Sequence, residues 1–154
     1  MADVVVRRAG VKDAFIVAAL HLQFAIELGM QSEAGYLDRF VDAWLSERPD
    51  RPTWIAESRG EHAGLLETRR IRALPWPGRT DVSWLHVGGL FIVPSCRDRG
   101  VGQALTEAMI EWSRSTDVKW IRLKAPDEES QHFYERLGFS SPGQLMEFDL
   151  RDPQ

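Results

Sequence analysis

The chain has 154 residues, 44% hydrophobic and 27% charged, which is enough for one domain with its own core and too little for two ordinary ones. Nineteen basic against 23 acidic residues leave a net charge of −4, which argues against nucleic acid as the main partner. The one cysteine, Cys96, allows no internal disulfide and no thiolate cluster for zinc. No apolar run reaches the roughly 18 residues of a membrane span, and Asp3 stands where a signal peptide would be basic. A single cytoplasmic domain, without metal, membrane or nucleic acid, is expected over residues 1–154.

In chain order, the β-branched run Val4-Val5-Val6-Arg7-Arg8 predicts a strand, and Gly10 a turn. A helix follows over about residues 12–28, with Phe15, Ala18, Leu22 and Ala25 as its apolar stripe and Gly29 as its stop. A second helix over about residues 32–48 places Leu37, Phe40, Val41, Trp44 and Leu45 on one face and ends at Pro49 and Pro52. Residues 53–58, the Arg59-Gly60 turn and residues 63–69 read as a β-hairpin, and Leu74-Pro75-Trp76-Pro77-Gly78 as a loop. A strand over about 82–93 precedes a helix that presents Val101, Leu105, Ala108, Met109 and Trp112 on one side. A strand over 118–123, a short helix over 128–137 ended by Gly138, and a last strand over 145–150 complete a mixed α/β pattern.

The most informative segment joins the 82–93 strand to the next helix: Val93-Pro94-Ser95-Cys96-Arg97-Asp98-Arg99-Gly100-Val101-Gly102-Gln103-Ala104-Leu105. Glycines at 100 and 102 put no side chain between the backbone amides and an incoming anion. The helix start adds unpaired N–H groups and the positive end of its dipole, so the turn suits a pyrophosphate. It lacks the G-x-G-x-x-G of a dinucleotide fingerprint and the Lys-Ser/Thr of a Walker A loop, so a nucleotide-binding module is disfavoured.

The segment resembles the acyl-CoA loop of the GNAT acyltransferase superfamily, R/Q-x-x-G-x-G/A, through Arg97, Gly100 and Gly102. A second family element, N-x-x-A-x-x-F-Y-x-x-x-G-F, is met further on by Asp127 through Phe139. Phe133-Tyr134 and Gly138-Phe139 match, Asp127 replaces Asn, and Ser130 replaces Ala. The specific likeness lies in residues 90–139. It implies a mixed, mostly antiparallel sheet of about six or seven strands with about four helices, and a central parallel pair that splays apart. It also implies an N-acetyltransferase that uses acetyl-CoA and a primary amine by direct attack in a ternary complex, and it admits a homodimer.

The resemblance places the thioester beside Phe91, Ile92 and Val93. An N–H of Ile92 or Val93 would polarise its carbonyl, and the pantetheine amides would replace the missing strand. The pyrophosphate falls to the backbone of Arg97, Asp98, Arg99, Gly100, Val101, Gly102 and Gln103, with the Arg97 and Arg99 side chains as further contacts and Asp98 turned to solvent. Asp127, Ser130 and Phe133 face the cofactor by the same analogy, and the Tyr134 hydroxyl protonates the departing thiolate.

The general base is where the chain departs from the family. Many members carry a Glu four residues before the strand's terminal Val, and this chain has Gly89 there, beside Gly88. The candidates are His86 on the same strand, whose imidazole suits proton transfer near neutral pH, Glu67 on the hairpin, and Glu147 on the last strand. The missing glutamate leaves a non-catalytic acyl-CoA sensor as the alternative. Residues 23–36 and 74–80 would shape the acceptor pocket. Glu27, Glu33 and Asp38 favour a cationic amine, and Arg69, Arg70, Arg72 and Arg79 an anionic one.

Overall fold

The valine run forms β1 (Val4–Arg8), the edge of a five-stranded sheet in a computed structural model that describes residues 3–79, 82–143 and 145–151. Contacts divide the chain into two compact units, one up to Lys124 and one from Ala125.

The first unit holds the whole sheet. Its strands β1, β2 (Thr53–Ser58), β3 (Glu61–Arg72), β4 (Ser83–Ile92) and β5 (Val118–Arg122) lie in sequence order. The first three pairings are antiparallel and β4–β5 is parallel. The hairpin register Ser58↔Glu61 confirms a two-residue turn at Arg59-Gly60. Helices α1 (Ala14–Glu27) and α2 (Tyr36–Glu47) pack against one side of the sheet, where Val17, Ala18, Leu20, Val41 and Trp44 join Ile55, Leu65 and Phe91 in one core. Helix α3 (Val101–Arg114) buries Val101, Leu105, Thr106, Met109 and Ser113, and Leu105 reaches the position of Gly64 on β3.

Three sequence expectations need correction. The core-facing stripe of α1 runs through the buried Ala14, Val17 and Ala18 to the half-buried His21 and Phe24; Ala18 is buried as expected, while Phe15 is 58% exposed. One residue rotates the helix by about 100°, so Phe15, one position past Ala14, points away from the core. Helix α2 begins at Tyr36 and not near residue 32, because a turn, Tyr36 N–H to Glu33 carbonyl at 3.2 Å, precedes it.

The sheet has five strands among the described residues, not six or seven. Residues 145–150 form no strand, and Leu145, Met146, Phe148 and Leu150 are 80%, 92%, 79% and 89% exposed. Alternation selects which face a strand would bury, but only a ladder partner satisfies its backbone.

The second unit contains α4 (Glu128–Arg136). Among the described residues no helix is long and apolar enough to cross a membrane, and no group of three His, Cys, Asp or Glu side chains gathers as a metal site. Thr80, in the segment expected to shape the acceptor pocket, lies outside the described residues.

Candidate active site

The parallel pairing of β4 with β5 runs from Ser83↔Val118 to His86↔Arg122. Beyond it β4 continues to Ile92 while β5 ends at Arg122. On its other side β4 remains paired with β3 as far as Gly64↔Ile92. Val93 N–H donates to the Ala63 carbonyl at 2.8 Å, and the Val93 carbonyl accepts from Cys96 N–H at 2.8 Å. An antiparallel ladder alternates, so the groups of Phe91 face Leu65 on β3 whereas those of Leu90 and Ile92 turn toward the open side. Of the two N–H groups considered for the thioester carbonyl, Val93's is therefore already taken, and Ile92's points where a substrate strand would lie. The Phe91 ring is not at that edge; it is buried and stacked on Phe24 with centroids 5.4 Å apart.

The loop after β4 turns sharply into α3. Asp98 and Gly100 both take left-handed backbone, with φ of 63° and 78°, and the first helical bond closes from Ala104 N–H to the Gly100 carbonyl at 3.0 Å. The N–H groups of Val101, Gly102 and Gln103 thus stand at the helix start without a backbone acceptor among the described residues. Arg97, Asp98, Arg99 and Gly100 are exposed. The Arg97 side chain is engaged within the unit, its Nε on the Ile92 carbonyl at 3.1 Å and its Nη2 on Glu27. Cys96 is buried, with its Sγ 3.8 Å from Ser95 Oγ, a packed thiol and not an exposed nucleophile.

The absent carboxylate of β4 is answered from the neighbouring strand. Glu67 on β3 lies opposite Gly89, next to a register shift between Glu67 and Thr68 that leaves Gly88 as the extra residue on β4. A Cβ on Gly88 would lie 1.8 Å from Glu67 Oε1, and one on Gly89 would lie 2.9 Å from the Phe24 ring. The two glycines are the space into which Glu67 and Phe24 project. The Glu67 side chain is 16% exposed, and its nearest cation, Arg51 Nη1, is 3.5 Å from Oε2. Burial pushes its carboxyl above the ordinary carboxylate range, with Arg51 pulling the other way.

Glu67 lines a cavity of about 190 Å³ that is open to solvent, together with His21 of α1, Phe40, Ala43, Trp44 and Glu47 of α2, and Arg51. Arg51 is anchored on Glu47 Oε1 through Nε at 3.2 Å and Nη2 at 3.1 Å. His21 Nδ1 is 2.8 Å from the Tyr36 hydroxyl, its ring is 4.7 Å from that of Phe40, and burial pushes its pKa down, favouring the neutral ring. Trp44 Nε1–H donates to Thr53 Oγ1 at 3.1 Å.

His86 is placed differently. It is exposed, does not line this cavity, and stands between Arg69 and Arg122 in the ladder. Most members of the two charged sets expected to select the acceptor are paired within the protein. Glu27 pairs with Arg97, Glu33 with Arg39, Arg69 with Glu47, Arg70 with Asp117, and Arg72 with Asp50.

In the second unit, Asp127 caps α4, its Oδ1 accepting from Ser130 N–H at 2.8 Å, and this bond holds the carboxyl below its ordinary range. Asp and Asn cap equally well, which accounts physically for the exchange at this position. Gly138, with φ of 102°, reverses the chain so that Phe139 N–H donates to the Tyr134 carbonyl at 3.0 Å and Gly138 N–H to that of Glu135 at 3.0 Å, a Schellman closure. The rings of Phe133 and Phe139 consequently meet Tyr134 edge-on at 5.0 and 5.3 Å. Burial among them raises the phenol's pKa, keeping its proton available at neutral pH. Glu147 falls in the segment that forms no strand.

Comparison with known proteins gives the family. The Acetyltransferase (GNAT) family profile matches residues 18–139. The uncharacterised N-acetyltransferase YhfO of Bacillus subtilis is 24% identical over 153 residues, covering 96% of this chain and 97% of that protein. Among solved structures, a predicted acetyltransferase of Clostridium acetobutylicum, crystallised with acetyl-CoA, superposes with a TM-score of 0.77 at 15% identity, covering 96% of this chain and 97% of that one. A GCN5-related N-acetyltransferase of Ralstonia eutropha gives a TM-score of 0.75 at 24% identity, covering 97% and 99%. The chain belongs to the GNAT family of acetyltransferases and is an acyltransferase.

Proposed function

We propose that the protein transfers the acetyl group of acetyl-CoA to a primary amine by direct attack, in a single domain in which Glu67 is the general base and Tyr134 the general acid. The observation that carries this is the Glu67 carboxylate, buried in the space left by Gly88 and Gly89 on the strand whose outer backbone edge is unpartnered. The residues present fit acetyl-CoA: the outward-facing N–H and carbonyl of Leu90 can pair with pantetheine amides, Ile92 N–H remains for the thioester carbonyl, and the N–H groups at the start of α3 can take a pyrophosphate.

Glu67 accepts a proton from the incoming ammonium, and the freed nitrogen lone pair forms the C–N bond at the acetyl carbon. Ile92 N–H donates to the carbonyl oxygen as it gains negative charge. As the C–S bond breaks, Tyr134 gives its proton to the sulfur and is reprotonated by the second proton leaving the nitrogen. The proton on Glu67 goes to solvent. A non-catalytic acyl-CoA sensor was suggested only by the lack of a carboxylate on β4, and Glu67 removes that motive.

Glu67→Gln keeps the shape and removes the base. It should lower kcat/KM for the amine by about 10²-fold or more, read as release of CoA thiol, while calorimetry shows acetyl-CoA affinity within a few-fold of wild type. An unimpaired kcat/KM would move the base elsewhere.

A further inference from the structure

From the cavity that Glu67 lines, we infer the class of acceptor: a small primary amine carried on one flat apolar ring by a short linker, an arylmethyl- or arylethylamine. This rests on Glu67 acting as the base, and it adds what surrounds that carboxylate.

Three ring walls define the space, and each is fixed. Trp44 is buried and tied through its indole N–H to Thr53, His21 is tied through Nδ1 to Tyr36, and Phe40 lies against the His21 ring. Rigid ring faces reward a flat ligand and give little to a flexible chain, whose ordering would cost more per contact. Size agrees, since a cavity near 150 Å³ accommodates benzene and this one offers about 190 Å³. One ring and a one- or two-carbon linker fill it. A polyamine would run out of it, and a peptide would need a row of backbone partners that these walls lack.

The charges set the orientation. Arg51 holds Glu47 with two N–H groups but touches Glu67 only at 3.5 Å. An ammonium can therefore enter beside Glu67 while Arg51 stays on Glu47, which Arg69 also holds at 2.9 Å, so that Glu67 gains a close cation of its own. The ring then rests against His21, Phe40 and Trp44, with the nitrogen at the carboxylate that deprotonates it. Ala43, exposed on α2 at the rim, is where added bulk would fill the cavity without disturbing the core.

The experiment measures thiol release with benzylamine, 2-phenylethylamine, spermidine and a short peptide with a free N-terminus. Alongside, saturation-transfer NMR follows 2-phenylethylamine binding to wild type and to Ala43→Trp. The arylalkylamines should exceed spermidine and the peptide in kcat/KM by about tenfold or more, and Ala43→Trp should raise their KM by about tenfold with the acetyl-CoA KM unchanged and abolish the NMR signal. Phe40→Ala, which removes one wall, should raise the same KM and serves if the tryptophan variant misfolds. Preference for spermidine or the peptide, or an unchanged KM in the wall variants, overturns the inference. If another amine reacts in a Glu67-dependent way while arylalkylamines neither bind nor react, the acceptor class is wrong and the proposed reaction stands. If 2-phenylethylamine binds and is lost in Ala43→Trp but no amine is acetylated, the reaction is wrong and the binding site stands. No turnover and no binding overturns both.

Discussion

The two sides of β4 work by different means. Toward β5 the proposed chemistry is backbone chemistry: the groups of Leu90 and the N–H of Ile92 where β5 ends, and the N–H groups at the start of α3. Toward α1 and α2 it is side-chain chemistry, with Glu67 reaching in from β3, Arg51 from the turn after α2, and three rings from the helices. A backbone cradle needs particular residues only where a side chain would intrude, so it leaves a short glycine signature in the sequence. A side-chain pocket is assembled from distant positions and leaves none.

That difference sets the predictions, each of which should damage one side and spare the other. The largest effect is on the side-chain face, where Glu67→Gln is expected to leave acetyl-CoA affinity within a few-fold of wild type while lowering kcat/KM for the amine by about 10²-fold or more, as stated above. Next, Tyr134→Phe should lower kcat by about 10²-fold with a smaller change in the acetyl-CoA KM, because the hydroxyl acts on the leaving sulfur and contributes little to packing. A near-normal kcat, under conditions where chemistry limits the rate, would show that the thiolate leaves without this acid. Smaller still, Gly100→Val should weaken acetyl-CoA binding by about tenfold, since a β-branched residue is strained at the left-handed backbone that opens α3. Calorimetry checks this, with 2-phenylethylamine binding unchanged as the control. Equal loss of both ligands would mean that the two sides are not separate.

The same difference explains what was legible in the sequence. The hairpin, α3, α4 and the loop at Gly100 were readable because periodicity and glycine punctuation are local. So was the frame around Tyr134, whose Gly138 serves a local chain reversal. The proposed base was not. Gly89 read as an absence, and only the register that sets Glu67 opposite it, with Gly88 as the extra residue, turns the two glycines into room for a carboxylate. His86, nearer in sequence to the thioester segment, is exposed and outside the cavity that Glu67 lines, which is why we propose Glu67. The strand expected at 145–150 failed for the converse reason: its alternation was real, and the ladder partner it required is not a property of the segment.

The pH dependence of kcat/KM for the amine tests the central claim most directly. Burial raises the Glu67 carboxyl, so activity should fall on the acid side through a midpoint above the ordinary glutamate value of about 4.3. Below that midpoint Glu67 is protonated and cannot accept a proton, and above it the ionised carboxylate is competent. The account predicts that Glu67→Gln removes this limb and that His86→Gln leaves it in place. A limb that survives Glu67→Gln, or that disappears with His86→Gln, would contradict it.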